Sequence, residues 1–316
     1  MGTLRLSPSP FPPYIEMLIR QDTIYSWRTQ EDRISHLKLI AVASLAGSLA
    51  STVSLAEDLR YRTVPRATVE ARLGQYTGDD DHREAALKQM FTDAGCDAQR
   101  LSEQAVKGSK LSNVICTLPG STSRTIIVGA HFDHISAGDG VVDNWSGASL
   151  LPSLYEAVKV VARQHNYIFI GFCDEEKGEV GSHFYVKQMT PEQVAATDAM
   201  VNMDTLGLAP TEIWANHSDQ RLNAALSYIA KQLNAPLTAV DVEIGTTDSE
   251  QFAKRKIPSL TIHSLTKQTW DAGILHTSKD KLSAMHIDDY YQTYNLLAAY
   301  LAFLDQLPPP PDKGAH

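Results

Sequence analysis

The sequence predicts an α/β layer fold from about residue 66 onward. Apolar runs of strand length alternate with helix-like segments along this part of the chain. Two of the runs, 125–130 and 167–172, are apolar throughout, as strands buried on both faces of a sheet are. The helix-like segment 146–164 lies between them. Together the three segments predict a βαβ unit with parallel strands in the centre of a sheet.

The remaining elements follow the same alternation along the chain. Pro152 should lie in or near the first turns of helix 146–164, or bend that helix. Further strands are predicted at 111–118, 199–203, 212–215 and 259–263, and further helices at 82–94, 220–233, 250–254 and 287–307. Since no internal repeat or long linker follows residue 66, we expect a single domain over 57–307 and a disordered tail over 308–316.

Composition excludes some functional classes. The chain has 316 residues, of which 43% are hydrophobic, too many for a disordered protein. Its 28 Lys and Arg against 37 Asp and Glu give a net charge of −9. An acidic chain lacks the positive potential that phosphate binding needs, so we expect no nucleic-acid partner.

The first 56 residues differ in character from the rest. An uncharged apolar run at 39–50 follows several basic residues and precedes small residues, which is the order of a secretory signal peptide. The run is shorter than the roughly 20 apolar residues of a membrane span. An ordinary apolar helix is the alternative. We therefore expect 1–56 to be an extension with a cleaved signal peptide, the protein to be secreted or periplasmic, and no membrane contact afterwards.

Three cysteines have different predicted environments. Cys173 ends an apolar run and is expected to pack as a small buried side chain. Cys96 and Cys116 lie at the edges of predicted elements, and an exported protein permits a disulfide between them. The sequence leaves that pairing open.

Histidines and carboxylates follow three of the predicted strands. His131 and Asp133 come after strand 125–130, Glu175 and Glu176 after strand 167–172, and Asp204 after strand 199–203. In open α/β sheets, ligands bind beyond the carboxyl ends of the strands. Imidazole and carboxylate groups together suit zinc. Asp143, before a helix start, and His276, in a polar loop, are further candidates.

These residues form motifs that resemble those of peptidase family M28, the two-zinc aminopeptidases. The motifs are His131-x-Asp133, Asp143-Asn144-x-Ser146-Gly147-Ala148, Glu175-Glu176, Asp204, and His276-Thr277-x-x-Asp280. Their order and spacing agree with the family over roughly 105–305, and five motifs in register are much more specific than one. The resemblance implies a three-layer α/β/α sandwich with a mixed, mostly parallel central sheet.

The resemblance also implies a role for each motif residue. His131 and Asp204 would hold one zinc ion, Glu176 and His276 the other, and Asp143 would bridge the two. Glu175 would be the general base for a water held by both ions, and Asp133 would accept the other ring N–H of the ligand histidine. The implied function is a metallo-aminopeptidase that removes amino-terminal residues from peptides with a free amino terminus.

Two other functions remain open at this stage. Glutaminyl cyclases use a similar scaffold with one zinc ion, and some relatives are catalytically silent binding modules. The intact ligand set favours the peptidase. One departure from the family is Ser249, at a position where many relatives have histidine. Trp145 and Trp270 could each line a substrate pocket or pack in the interior. The other histidines are expected to be structural or on the surface, namely His134, His183, His217, His263 and His286.

Overall fold

The computed structural model describes residues 2–5, 58–243 and 245–308. Its centre is an eight-stranded mixed sheet in which four of the seven neighbouring strand pairs are parallel. The strand order is β3-β4-β6-β5-β7-β10-β8-β9. These strands are β3 (Leu101–Ala105), β4 (Ser112–Leu118), β5 (Thr125–His131), β6 (Asn166–Phe172), β7 (Thr197–Met203), β8 (Thr211–Trp214), β9 (Leu237–Val240) and β10 (Ser259–His263). A separate antiparallel pair joins β1 (Gly2–Arg5) to β2 (Asp58–Tyr61).

Helices cover both faces of the sheet, as the three-layer prediction requires. The larger layer contains α1 (Arg66–Leu73), α2 (Asp80–Asp93), α3 (Ser146–Lys159), α6 (Gln220–Leu233) and α9 (Ile287–Leu304). The smaller layer contains α4 (Val180–Gln188), α5 (Pro191–Ala196) and α7 (Ser249–Ala253), and the short α8 (Lys267–Asp271) lies in a loop after β10. Ile127 and Met200 in the sheet pack against Phe252 of α7. The α/β sandwich with a mostly parallel sheet is therefore confirmed.

Apolar runs located the central strands well. The predicted strand 259–263 and helix 220–233 match β10 and α6, and the other predicted strands are correct within two residues at each end. Two helices end three or more residues earlier than predicted, at Lys159 and at Leu304. Strands β3 and β9 lie at the sheet edges and were not predicted. In β3, exposed polar side chains interrupt the apolar pattern, and β9 has only four residues, none of them fully buried.

The cysteines adopt the arrangement that the sequence permitted. Cys96 and Cys116 form a disulfide with an S–S distance of 2.02 Å, and Cys173 is free and buried. The predicted signal peptide, apart from residues 2–5, and the predicted tail beyond residue 308 lie outside the described residues. Within the described ranges, no helix is both long and apolar enough to cross a membrane.

Candidate metal centre

Three neighbouring parallel strands bring the predicted site residues to one edge of the sheet. Strand β5 lies between β6 and β7, so the carboxyl ends of all three strands meet there. His131 is the last residue of β5, and Asp204 directly follows β7. Glu175 and Glu176 begin a single 3-10 turn, Glu175–Lys177, just after β6. The strand order therefore brings residues that are distant in the sequence close together in space.

One cluster of possible metal ligands surrounds His131. Its Nε2 atom lies 3.6 Å from Asp204 Oδ1 and 3.8 Å from Glu175 Oε2. One ligand atom from each of these three side chains lies within 4.8 Å of the others. His131 is almost completely buried, so its ring orientation is set by its surroundings.

Asp143 connects this cluster to a second one. Its Oδ1 lies 3.3 Å from Nε2 of His131, while its Oδ2 lies 3.1 Å from Nε2 of His276. Glu176 Oε2 is also 3.1 Å from His276 Nε2, so Asp143, Glu176 and His276 form a second group of possible ligands. The two oxygens of one carboxylate thus face the two clusters.

Asp133 supports this edge in a different way from the one expected. Its carboxylate accepts the backbone N–H groups of Glu175, at 3.0 Å, and of Glu176, at 3.2 Å. The ring Nδ1 of His131 lies 3.2 Å from the backbone carbonyl oxygen of Asp133 and 3.6 Å from its carboxylate. The carboxylate therefore orients the turn that carries both glutamates, and the carbonyl is the nearer partner of the imidazole.

Asp280 and Asn144 fix the position of Asp143. The carboxylate of Asp280 accepts the backbone N–H groups of Val142, at 2.7 Å, and of Asp143, at 3.1 Å. Asn144, joined to Asp143 by a cis peptide bond, donates from Nδ2 to the Met203 carbonyl oxygen at the end of β7. Asp280 belongs to the motif His276-Thr277-x-x-Asp280, which by itself gives this residue no role. Only the structure shows that its carboxylate faces these amides.

A glycine allows the start of α3 to approach β7 closely. A Cβ atom on Gly147 would lie 2.6 Å from the Met203 carbonyl oxygen and 2.7 Å from Asn144 Oδ1. Both contacts are too short for any other residue, so Gly147 holds the helix start against the strand that leads to Asp204. Gly147 belongs to the motif on which the resemblance rests.

Arg83 of α2 holds the loops on the other side of the site. It is buried and donates hydrogen bonds of 3.1 Å to the carbonyl oxygens of Phe132 and Gly140. Its guanidinium lies 5.6 Å from the ring centre of Trp145. Trp145 is completely buried, so it packs against Arg83 and does not line a pocket. No pattern in the sequence distinguished Arg83 from other helical arginines.

Thr247 and Asp248 complete the surroundings of Asp204. Thr247 donates its hydroxyl to Asp204 Oδ2 at 2.7 Å. Asp248 is fully buried, and burial raises the pKa of its carboxyl to about 7. Ser249, at the position where many relatives have histidine, instead forms a 2.6 Å hydrogen bond with Thr261 and is also fully buried. This residue therefore faces the sheet and not the site.

The electrostatics of the two clusters fit bound cations. Burial, together with the nearby carboxylates, raises the pKa of Glu175 to about 10. Hydrogen bonds to Asp143 and Glu176 raise the pKa of His276 to about 10. Such groups hold protons that metal ions can replace. In addition, Glu176 Oε1 is buried with no hydrogen-bond partner among the described residues. Imidazole and carboxylate donors around an unsatisfied oxygen suit zinc.

A cleft of about 460 Å³ opens directly over both clusters. The carboxylates of both clusters line it together with apolar, aromatic and small polar residues. Trp270 is among them, with 48% of its surface exposed, so it is a wall of the cleft. The lining residues outside the two clusters are Gly178, Thr205, Trp214, Val242, Gly245, Thr246, His263, Leu265, Trp270 and Leu275.

A family comparison agrees with this geometry. The model of peptidase family M28 matches residues 113–301, which is more than half of the chain and includes every predicted site residue. This chain belongs to peptidase family M28. The family assignment made from the sequence motifs is therefore confirmed.

Individual members of the M28 family are only distantly similar in sequence. A probable leucine aminopeptidase of Arthroderma otae is 23% identical over 238 residues, covering 66% of this chain and 63% of the relative. Leupeptin-inactivating enzyme 1 of Streptomyces exfoliatus is 24% identical over 248 residues, covering 72% of this chain and 56% of the relative. The chain thus spans less than two thirds of the length of either relative.

Two solved structures have the same fold. A zinc aminopeptidase from Bacillus subtilis has a TM-score of 0.56 at 20% identity, covering 60% of this chain and 49% of that chain. A glutaminyl cyclase from an Acidobacteriales bacterium has a TM-score of 0.62 at 18% identity, covering 76% of this chain and 93% of that chain. At these identities, the similarity establishes the M28-type fold alone.

Proposed function

We propose that this protein is a two-zinc aminopeptidase that hydrolyses amino-terminal residues from peptides. The observation that carries this proposal is the position of Asp143, whose two carboxylate oxygens face His131 and His276 in separate ligand clusters. Membership of the M28 family and the named activities of its relatives support the same function.

The two clusters supply the ligands for the two ions. His131 and Asp204 would hold one zinc, Glu176 and His276 the other, and Asp143 would bind both. When bound, a zinc pair polarises the peptide carbonyl and makes water a stronger nucleophile. The buried amides and carboxylates around the ligands keep them in place before substrate arrives.

Glu175 is the proposed general base. It lines the cleft, and its backbone N–H donates to the Asp133 carboxylate, which fixes the backbone from which the side chain extends. As a carboxylate it would take a proton from water and later give it to the leaving amine. Since the neighbouring Glu176 is proposed as a ligand, the two glutamates have different roles.

The proposed substrates are peptides with a free amino terminus. Asp143, Glu175, Glu176 and Asp204 all line the same end of the cleft. Three of these carboxylates would be metal ligands whose charge the bound ions offset. The α-amine would therefore be recognised by a bound ion or by the carboxylate that is not a ligand, and an internal peptide segment has no such amine. Removal of single terminal residues therefore fits the site better than cleavage within a chain.

We also propose that the protein acts outside the cytoplasm. The disulfide between Cys96 and Cys116 supports this, because such bonds persist mainly in secreted and periplasmic proteins.

The test combines metal content with activity on the purified protein. Zinc per chain is measured, and a panel of aminoacyl-nitroanilides is assayed with and without a chelator. We expect about two zinc ions per chain and chelator-sensitive release of nitroaniline. As a matched pair, Glu175→Gln should lose activity, and Glu192→Gln, which removes an exposed carboxylate on α5, should keep it.

Two results would contradict the proposal. One zinc ion together with cyclisation of an amino-terminal glutamine peptide would indicate a glutaminyl cyclase, whose fold this chain shares. Absence of both metal and turnover would indicate a binding protein.

A further inference from the structure

A second cavity, of about 360 Å³, adjoins the far end of the cleft. Val242, Leu265 and Trp270 line both the cavity and the cleft, so these three side chains form the boundary between them. We call this second space the side cavity. A substrate bound at the clusters would extend along the cleft toward this boundary.

The side cavity is acidic. Four carboxylate residues line it, namely Glu212, Asp241, Glu243 and Asp271. Among the described residues of its wall, Lys267 is the one basic residue, and its Nζ lies 2.6 Å from Asp271 Oδ2. The other three carboxylates therefore give the cavity a negative potential that favours a cation.

Glu212 is the most informative of these residues. It lies in β8 with 8% of its surface exposed, and its Oε2 atom is buried without a hydrogen-bond partner among the described residues. A buried carboxylate oxygen without a donor costs free energy unless a ligand or a proton satisfies it. Burial raises the pKa of Glu212, which reflects the same cost.

The nearest imidazole does not supply the missing donor. His263 is opposite Glu212 on the paired strand β10, and its Nδ1 lies 3.9 Å from Glu212 Oε2. The backbone N–H of Leu265 donates to this same Nδ1 at 3.0 Å, so Nδ1 carries a lone pair and no proton. Burial also lowers the pKa of His263 to about 4, so the ring is neutral at pH 7. Among the described residues, Glu212 therefore has no cationic partner.

The wall between the cleft and the side cavity is held in place by hydrogen bonds. The carbonyl oxygen of Val242 accepts from Trp214 Nε1 and from Asn216 Nδ2, both at 3.1 Å. The Val242 N–H donates to Asn216 Oδ1 at 3.2 Å. The indole of Trp214 lines the cleft, and that of Trp270 lines both spaces. Aromatic faces beside a carboxylate are favourable surroundings for an ammonium or guanidinium group.

We propose that the side cavity binds the Lys or Arg side chain of a peptide substrate, with Glu212 as the carboxylate that pairs with it. The specificity then comes from a charge-assisted hydrogen bond that an apolar side chain of the same length cannot form. This inference rests on the proposed peptidase function, and it adds a substrate class to that function.

The first experiment measures substrate preference. Values of kcat/KM are compared for Lys-, Arg- and Leu-nitroanilides, and for Leu-Arg and Leu-Leu dipeptide amides, so that the basic residue occupies either of the first two positions. In Glu212→Gln we expect kcat/KM for the preferred basic substrates to fall about tenfold or more, with the Leu substrates changed less than about twofold. Glu192→Gln, with an equal change of charge outside the cavity, should retain the wild-type preference.

A second experiment measures binding without catalysis. Calorimetric titration of chelator-treated protein compares lysinamide with norleucinamide, which lacks only the side-chain ammonium. We expect the wild-type protein to bind lysinamide more tightly and Glu212→Gln to bind both equally. The double variant Asp241→Asn/Glu243→Gln, which changes exposed residues of the cavity, is the substitute test if Glu212→Gln does not fold. It should reduce the difference in affinity between lysinamide and norleucinamide by a smaller factor.

The outcomes separate the two proposals. Equal losses of activity on basic and apolar substrates in Glu212→Gln, or equal binding of the two amides by wild-type protein, would overturn the assignment of the side cavity. Failure of wild-type protein to hydrolyse any substrate would instead contradict the peptidase function, while the calorimetric comparison would still test the cavity.

Discussion

Replacing Asp280 by asparagine should weaken the candidate metal centre without touching a proposed ligand. Its carboxylate accepts N–H groups from Val142 and Asp143, at 2.7 and 3.1 Å. Asparagine has one acceptor oxygen, so one of these amides would face an NH₂ group. Each hydrogen bond to a charged acceptor contributes about 1.5 to 3 kcal/mol, so the expected loss is about 2 kcal/mol.

The predicted loss should appear in metal binding as well as in folding. Because Asp143 is the residue that faces both clusters, a displaced Asp143 backbone should weaken zinc affinity by about tenfold to a hundredfold. Zinc affinity is measured by competition with a chromogenic chelator, and the free energy of unfolding of metal-free protein by urea titration. The matched control is Asp288→Asn, whose side chain is 79% exposed at the start of α9.

A specific result would refute this reasoning. If Asp280→Asn bound zinc as tightly as wild-type protein and unfolded within about 0.5 kcal/mol of it, the two hydrogen bonds would not hold the Asp143 loop. A loss of stability alone, with zinc affinity unchanged, would limit Asp280 to a folding role.

Further predictions concern the base, a buried histidine and the disulfide. Glu175→Gln should retain zinc by elemental analysis while nitroanilide hydrolysis falls by roughly a hundredfold or more, whereas Asp143→Ala should also lose zinc. The pKa of His263 is lowered to about 4, so the unfolded chain takes up that proton first as the pH falls, and stability decreases below about pH 6.5. Between pH 7 and 4.5, the free energy of unfolding of metal-free His263→Gln should therefore fall by about 2 kcal/mol less than that of wild-type protein, as measured by urea titration. An equal fall in both proteins would contradict this. Since the disulfide joins cysteines 20 residues apart, its reduction should lower the free energy of unfolding by about 3 kcal/mol, and an unchanged urea midpoint would count against that contribution.

The central fold could be predicted because burial on both faces leaves a simple pattern. Strands β5 and β6 are nearly continuous apolar runs, and β7 has an apolar centre, so the ends of these strands and the polar residues that follow them were identifiable from the sequence. The edge strand β9 has only partly buried or exposed residues, and the prediction missed it. The helix predicted to continue to residue 164 ends at Lys159, and the backbone N–H groups of Gln164 and His165 donate to Asp305 and not within a helix.

The candidate ligands could be named because a motif fixes residue type and spacing, but their supporting contacts could not. A sequence cannot show that the Asp133 carboxylate faces two backbone amides while its carbonyl faces the His131 ring. Likewise Thr247 is 43 residues from Asp204, and nothing about a single threonine identifies it as a hydrogen-bond donor to that carboxylate.

Substrate preference could not be predicted from the sequence for a similar reason. The proposed ligands follow strands that the sheet places side by side, so strand order alone brings them together. The side cavity instead combines β8, the segment after β9, the segment after β10 and α8, none of which carries a recognisable motif. Glu212 is informative because the backbone N–H of Leu265 already donates to Nδ1 of His263, the histidine opposite Glu212. A buried acid is common in sequences. In this chain the acid has no hydrogen-bond donor for Oε2 among the described residues, and the base beside it is already engaged, which is why we propose a ligand from outside the chain.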